Sequence, residues 1–369
     1  MNLYELFTEQ ELRSQIDLKM VKATTHPKLP LTILNYTQQA TFNPENWNHV
    51  TDLCRGIIYD NRSMEIVSRP FSKFWNYGDT RHPETLTENL PSTPPTITRK
   101  MDGSLGIAYQ TPNGWAIATR GSFSSDQAFW ASRWISEHSM RVFVEGYTPL
   151  FEIIYPENQI VVKYPWSGLI LLAMVNIKTG EELDRKQLEH FAAANNYEVV
   201  EQFNKPLSAL VGEDTPNEEG YVVSWPRIGT SPLRCKVKYS TYCRLHKLLT
   251  QTSAVTIWEM LRDGSDIAAL TVDVPKEFKV WVEIVQSRLK SSYEEIESKA
   301  MLAMAKYDGK VHDLTPDERK QFALYAVKQN PVTPILFAML DRKEYAPIIW
   351  KMIRPDGARE NPFKVDDDL

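Results

Sequence analysis

The sequence predicts an α+β protein, with an antiparallel-sheet domain over residues 1–245 and an all-helical C-terminal domain over residues 246–369. Two observations predict it. Short β-prone runs separated by turn signals fill the first two-thirds of the chain, and beyond residue 245 apolar residues recur three or four apart instead. A length of 369 residues leaves room for one sizeable core and a second unit.

In chain order, residues 96–99 are short and β-prone. Residues 105–110 and 115–119 flank Pro112-Asn113-Gly114, whose Asn-Gly pair is a strong hairpin signal. Residues 124–138 follow as a helix with Ser124 in the capping position. Further strands are expected at 151–155, 160–164, 169–177, 221–224 and 234–238. Residues 253–261 read as a helix that stops before Asp263-Gly264. Phe278, Trp281, Val282, Val285, Leu289, Tyr293, Ile296 and Ala300 define one long amphipathic helix. Thr315-Pro316-Asp317-Glu318 is a capping box with proline at the first helical position, opening a helix towards Val327. More helix is expected between residues 333 and 352, and residues 355–369 are expected to fray.

Composition excludes several classes. A hydrophobic fraction of 42% and a charged fraction of 24% are those of an ordinary globular protein. No apolar run approaches the ~20 residues of a membrane helix, and residues 1–22 lack the apolar core of a signal peptide. Three cysteines, without metal-ligand spacing, predict reduced thiols and a cytoplasmic setting. The seven histidines show no metal spacing either. A net charge of −5 argues against a uniformly basic nucleic-acid coat. However, no Asp or Glu occurs from Gly220 to Trp258, whereas Arg227, Arg234, Lys236, Lys238, Arg244 and Lys247 all do. Such a stretch is either a solvated basic face or a local phosphate site, and the latter accounts better for the exclusion of acids.

The sharpest local signal is Lys100-Met101-Asp102-Gly103-Ser104, a lysine at a strand end before a glycine turn. Alone, Lys-x-Asp-Gly is a common surface turn. Its neighbours change that. Lys100-Met101-Asp102-Gly103 resembles the nucleophile motif of the covalent nucleotidyltransferases, which include DNA ligases, RNA ligases and mRNA capping enzymes. Cys54-Arg55-Gly56-Ile57 and Ser68-Arg69-Pro70-Phe71-Ser72-Lys73-Phe74-Trp75-Asn76 resemble segments of the RNA ligase 1 family of T-even bacteriophages and its bacterial relatives. Arg120-Gly121-Ser122, Phe151-Glu152-Ile153, Glu219-Gly220-Tyr221-Val222 and Lys236-Val237-Lys238 follow in that family's order, so the resemblance spans roughly residues 30–250.

The resemblance implies an antiparallel-sheet nucleotidyltransferase domain and an ATP-dependent RNA ligase that uses Mg²⁺ or Mn²⁺. It would act on RNA 3′-hydroxyl and 5′-phosphate ends, as in the repair of broken tRNA. No membrane and no protein partner is indicated. Lys100 would attack the α-phosphate of ATP and become lysyl-AMP. Its amine must first lose a proton, and Lys236, Lys238, bound metal and desolvation are expected to lower its pKa. Lys236 and Lys238, two apart on a strand, share one face and would contact the α-phosphate.

By the same resemblance Arg55, Lys73 and Arg120 contact the nucleotide phosphates. Arg120 stands where a lysine is expected, which keeps the charge and adds bidentate geometry. Glu152 would accept the ribose hydroxyls, with a strand residue on the wet face as the alternative. Glu219 would help hold divalent metal; the earlier Glu145-Gly146-Tyr147, only seven residues before Glu152, is a turn. Tyr36 is a nucleotide contact or a core aromatic. Val222 lines the adenine pocket or is plain core, and Tyr242 would lie near the reacting RNA ends. The alternatives are a DNA ligase or capping enzyme, which the helical tail argues against, and a non-catalytic RNA-binding relative.

Overall fold

The computed structural model describes residues 1–138, 143–272 and 274–356. They form two compact units, the first over Met1–His246 and the second from Lys247 onward. The helix Ser240–Gln251 carries the chain across that division.

The first unit holds three sheets. An N-terminal meander pairs Val21–Thr25, Leu31–Tyr36, Arg55–Asp60 and Ile66–Ser68 in sequence order, all antiparallel. Every residue of Leu31–Tyr36 is buried, so alternation is absent and periodicity does not announce this strand. The second sheet runs Glu198–Val199, Gly168–Asn176, Tyr147–Ile154, Ser104–Thr111, Gly114–Ala118. Its last pair is the expected hairpin: Thr111 faces Gly114, and only Pro112 and Asn113 form the loop. The third sheet runs Gln202–Phe203, Thr96–Lys100, Gly220–Trp225, Leu233–Lys238, Trp75–Asn76. Ile33, Ile58, Ile107, Leu150 and Val175 pack between the first two sheets. The helices Asp126–His138 and Arg185–Asn195 contribute Ala131, Ile135, Leu188 and Phe191 to a core with Phe151 and Leu171 of the second sheet.

Two expectations are corrected. Residues 160–164 form no strand; their apolar run is buried, but its amides bond to side chains. The helix expected from Ser124 starts at Asp126, because it is the Ser125 hydroxyl that accepts the Ala128 amide, at 3.2 Å. Arg185–Asn195, closed at its start by an Asp184–Gln187 capping box, was not expected at all. Glu145 and Gly146 do form a turn, with Gly146 at φ +76°.

The second unit is helical. Lys276–Lys306 buries Phe278, Val282, Val285, Leu289 and Ala300, the stripe read from the sequence. Pro316–Val327 starts at the Thr315–Glu318 capping box. Thr333–Leu340 and Ala346–Met352 add Ile335, Leu336 and Ile349 to its core. The Trp258 indole, on Ala254–Arg262, donates to the Trp350 carbonyl at 2.8 Å. The frayed tail expected over residues 355–369 lies outside the described residues from 357 onward.

Candidate active site

The third sheet places the lysines by register. Gly220 sits directly opposite Lys100 on one side and Lys238 on the other. One step along, Val222 lies between Thr98 and Lys236. Residues paired across strands share a face, so Lys100, Val222, Lys236 and Lys238 all line one surface. Gly220 has φ +135°, and a Cβ there would fall inside the Val237 carbonyl. Only glycine allows the three strands to close up at this point.

Glu219, 2% exposed, ends up beneath both neighbouring amines. One oxygen takes the Lys100 amine at 2.7 Å and the other takes Lys238 at 2.8 Å. Burial opposes its charge, but the two ammonium groups hold its pKa below the usual carboxylate value. Burial likewise opposes the charge of Lys100, yet Glu219, Glu152 and Asp102 outweigh it and raise its pKa. This corrects the expectation that nearby cations lower the pKa of Lys100: the Glu219 carboxylate bonds the amine, and the charges of Glu152 and Asp102 act on it as well. Lys236 is instead pushed well below its usual value by burial and by Lys238, Lys100, Lys73 and Arg55, and burial lowers Lys73 as well. Among the described residues no carboxylate pairs with Lys236.

Glu152 faces this cluster from the second sheet, between Leu105 and Ile170. Burial, with Glu219 and Asp102 nearby, raises its pKa to about 8 despite the attraction of Lys100. Gly103 must be small here, because a Cβ would come within 2.6 Å of the Ile153 carbonyl and 3.1 Å of the Glu152 side chain.

The N-terminal sheet supplies the remaining cations. Arg55 starts the strand Arg55–Asp60; burial pushes its pKa down to about 10, and its Nη1 has no hydrogen-bond partner among the described residues. Gly56 has φ +109°, and a Cβ there would strike Ile107 and approach the Arg120 carbonyl to 3.2 Å. The Arg-Gly pair is thus what lets Arg120 close in. Arg120, 2% exposed, donates to the Tyr36 hydroxyl and lies over the Tyr36 ring at 4.5 Å. Lys73 donates to the same hydroxyl at 3.3 Å. Its amine stands 4.8–4.9 Å from the rings of Tyr36, Trp47 and Trp75, an aromatic enclosure that desolvates the charge while compensating it.

Asp102 of the Lys-x-Asp-Gly segment is 3% exposed and holds the site together. One oxygen accepts the Val161 and Val162 amides at 2.8 and 2.7 Å; the other accepts the Tyr242 hydroxyl at 2.7 Å. Its own amide donates to the Tyr164 hydroxyl at 2.8 Å. Tyr242 is itself 3% exposed, with Lys238 over its ring at 5.1 Å. The structure therefore brings Lys100, Glu152, Glu219, Lys236 and Lys238 together, and sets Tyr36, Arg55, Lys73 and Arg120 as an adjoining cationic group. Asp102, Trp47, Trp75 and Tyr164 shape the site but were not singled out from sequence. Asp102 was legible only as part of a motif, and Tyr164 only as the end of an expected strand.

A divalent ion meets a partial fit. Among the described residues no group of three or more side chains is assembled that could cage one. Glu219 and Glu152 are the acidic oxygens available, and an Mg²⁺-type ion needs only one or two carboxylates when substrate phosphates and water complete its shell.

Clustered cations over a carboxylate-held lysine define a site built for phosphate chemistry. The RNA ligase family model matches residues 53–242, just over half of the chain. The chain belongs to the RNA ligase family. It is 26% identical over 262 residues to a protein of Thermovibrio ammonificans described as a candidate RNA ligase, covering 64% of this chain and 67% of that one. To an RNA ligase of Rhodothermus phage RM378 it is 22% identical over 368 residues, covering 79% and 81%. A solved Naegleria gruberi RNA ligase aligns over 42% of this chain with 18% identity and a TM-score of 0.32. That alignment spans about half of the Naegleria chain, 51%.

Proposed function

We propose that this protein is an ATP-dependent RNA ligase that joins 3′-hydroxyl and 5′-phosphate ends through a lysyl-AMP at Lys100. The observation that carries the reading is the Lys100–Glu219–Lys238 bridge, flanked by unpaired Lys236 and faced by Glu152. In the first step the Lys100 amine attacks the α-phosphorus of ATP; a phosphoramidate bond forms and the bond to pyrophosphate breaks. AMP then passes to an RNA 5′-phosphate. The RNA 3′-hydroxyl displaces AMP from that adenylate, giving the phosphodiester.

In this scheme Lys236 and Lys238 neutralise the α-phosphate, and Arg55, Lys73 and Arg120 take the phosphate tail. Tyr36 orients the two cations that bond to it. Glu152 accepts the ribose hydroxyls, and Val222 lines the adenine side. Tyr242, its hydroxyl engaged by Asp102, borders the site near the RNA ends. Charge neutralisation and positioning carry most of the catalysis. Glu219 would hold Mg²⁺ or Mn²⁺, which supplies further charge stabilisation when bound. For attack, Lys100 must give up its proton, and that requires Glu219 to loosen its grip on the amine.

The substrate class narrows to broken single strands, such as those of tRNA anticodon loops, by family resemblance. A cytoplasmic setting is supported by three free cysteines, Cys54 and Cys235 buried and Cys243 exposed. No helix among the described residues is long and apolar enough to cross a membrane.

Labelled ATP with Mg²⁺, followed by denaturing electrophoresis, tests the first step. Label on the wild type and none on Lys100→Ala is expected; label from GTP alone would indicate capping chemistry. The final step needs no lysyl-AMP, so Lys100→Ala should still join RNA carrying a pre-formed 5′-adenylate, about 10–150-fold slower for one lost charged contact. Sealing of 5′-phosphorylated RNA by Lys100→Ala with ATP would remove Lys100 from its role.

A further inference from the structure

Trp166 is a large aromatic left 37% exposed on a segment that the site itself holds in place. Its ring leans on Tyr164 with 5.2 Å between centroids. The Tyr164 hydroxyl accepts the amide of Asp102, two residues past Lys100. Upstream, the Val161 and Val162 amides are fixed by the Asp102 carboxylate. Between them, Asn217 brackets Lys163, accepting its amide at 2.8 Å and donating to its carbonyl at 3.0 Å. Asn217 lies two residues before Glu219. The exposed indole is thus moored on both of the segments that carry the central ion pair. Lys163, also exposed, adds positive charge on the same segment.

Other exposed aromatics, such as Phe42 at 72% and Phe129 at 61%, have no such tie to the site. A rigid, preorganised ring loses little freedom when something stacks on it. Unpaired nucleobases stack on aromatic side chains irrespective of sequence, and neighbouring cations meet their phosphates. We propose that Trp166 is a stacking platform for an unpaired base of the single-stranded RNA end brought to Lys100, a role that rests on the ligase reading.

The test uses full-length Trp166→Ala and Trp166→Phe. Affinity for fluorescent single-stranded RNA is read by anisotropy, which needs no catalysis, and half-saturation by ATP is read from self-labelling. Trp166→Ala should weaken RNA binding about 5–100-fold, leave ATP half-saturation within about twofold, and be largely rescued by Phe, since stacking needs an aromatic face. In RNAs with one abasic nucleotide moved inward from either end, one position should cost the wild type about the same factor and cost Trp166→Ala nothing more. Unchanged RNA affinity overturns the proposal. So does a parallel loss for ATP, which would mean that the ring serves the nucleotide or only braces the Asp102 loop, and so does an abasic penalty equal in both proteins at every position. A wild type that binds RNA in this pattern but never self-labels would count against the ligase reading and leave the platform standing.

Discussion

At the scale of single residues, the site shows which groups sequence can nominate and which it cannot. Lys236 and Lys238 were legible because a spacing of two on a strand gives a shared face, and Lys100 and Glu219 through motifs that resemble those of the RNA ligase family. Their ionisation was not legible: Glu219 reaches two amines only through the fold, so the sign of the Lys100 shift depended on a contact no spacing reveals. The cage around Lys73 joins Trp75 of its own segment to Tyr36 and Trp47 from earlier in the chain, and Trp47 belongs to no motif. Glu152 yields a stability prediction. Its pKa rises from 4.5 to about 8 in the fold, so the folded state binds the extra proton. The sign follows: the favourable contribution is complete below about pH 4.5 and is lost as pH climbs through about 8. Glu152→Gln cannot ionise, so its melting temperature should gain on the wild type from pH 5 to pH 8. Thermal melts at several pH values read this, and parallel curves for the two proteins would contradict it.

Among elements, the hairpin at Asn113-Gly114, the long Lys276–Lys306 helix and the capping box at Thr315 were legible because local chemistry alone specifies them. The strand Leu31–Tyr36 was not, because burial on both faces erases alternation. Residues 160–164 read as a strand because their composition is that of one. Their amides are claimed by Asp102 and Asn217 instead, and that competition is tertiary. The Gly220 crossing gives the element-scale prediction. Gly220→Ala should cost about 1–3 kcal/mol in strain and spread the central strand from Leu233–Lys238, parting Lys100 from Lys238 across Glu219. Chemical denaturation should show the loss of stability, and self-labelling with ATP should fall by more than the unfolded fraction explains. A folded Gly220→Ala that labels normally would show that the lysines do not need this spacing.

Over the whole molecule, the site residues all fall between Tyr36 and Tyr242, within the first compact unit, and the helical unit from Lys247 has a core of its own. A chain ended after Gln251 should therefore keep self-labelling with ATP while sealing structured RNA poorly relative to short single strands. Comparing both substrates in single-turnover sealing checks this; equal loss on the two, with labelling intact, would argue against a selective role for the helices. The net charge of −5 did not foretell a phosphate site, because a sum over the chain is blind to where Lys100, Lys236, Lys238, Arg55, Lys73 and Arg120 gather.

The Asp102 carboxylate has a consequence in hydrogen isotope exchange. Residues 160–164 belong to no ladder, yet the Val161, Val162 and Lys163 amides each end on a buried or bracketing side-chain oxygen. Deuterium should enter them as slowly as it enters a strand, since exchange requires the bond to open. Two of those three bonds share one carboxylate, so they cannot open one at a time without leaving a buried charge partly uncovered. The loop would then breathe as a unit with the Lys100 turn, and how often it opens would set how often the nucleophile's surroundings come apart.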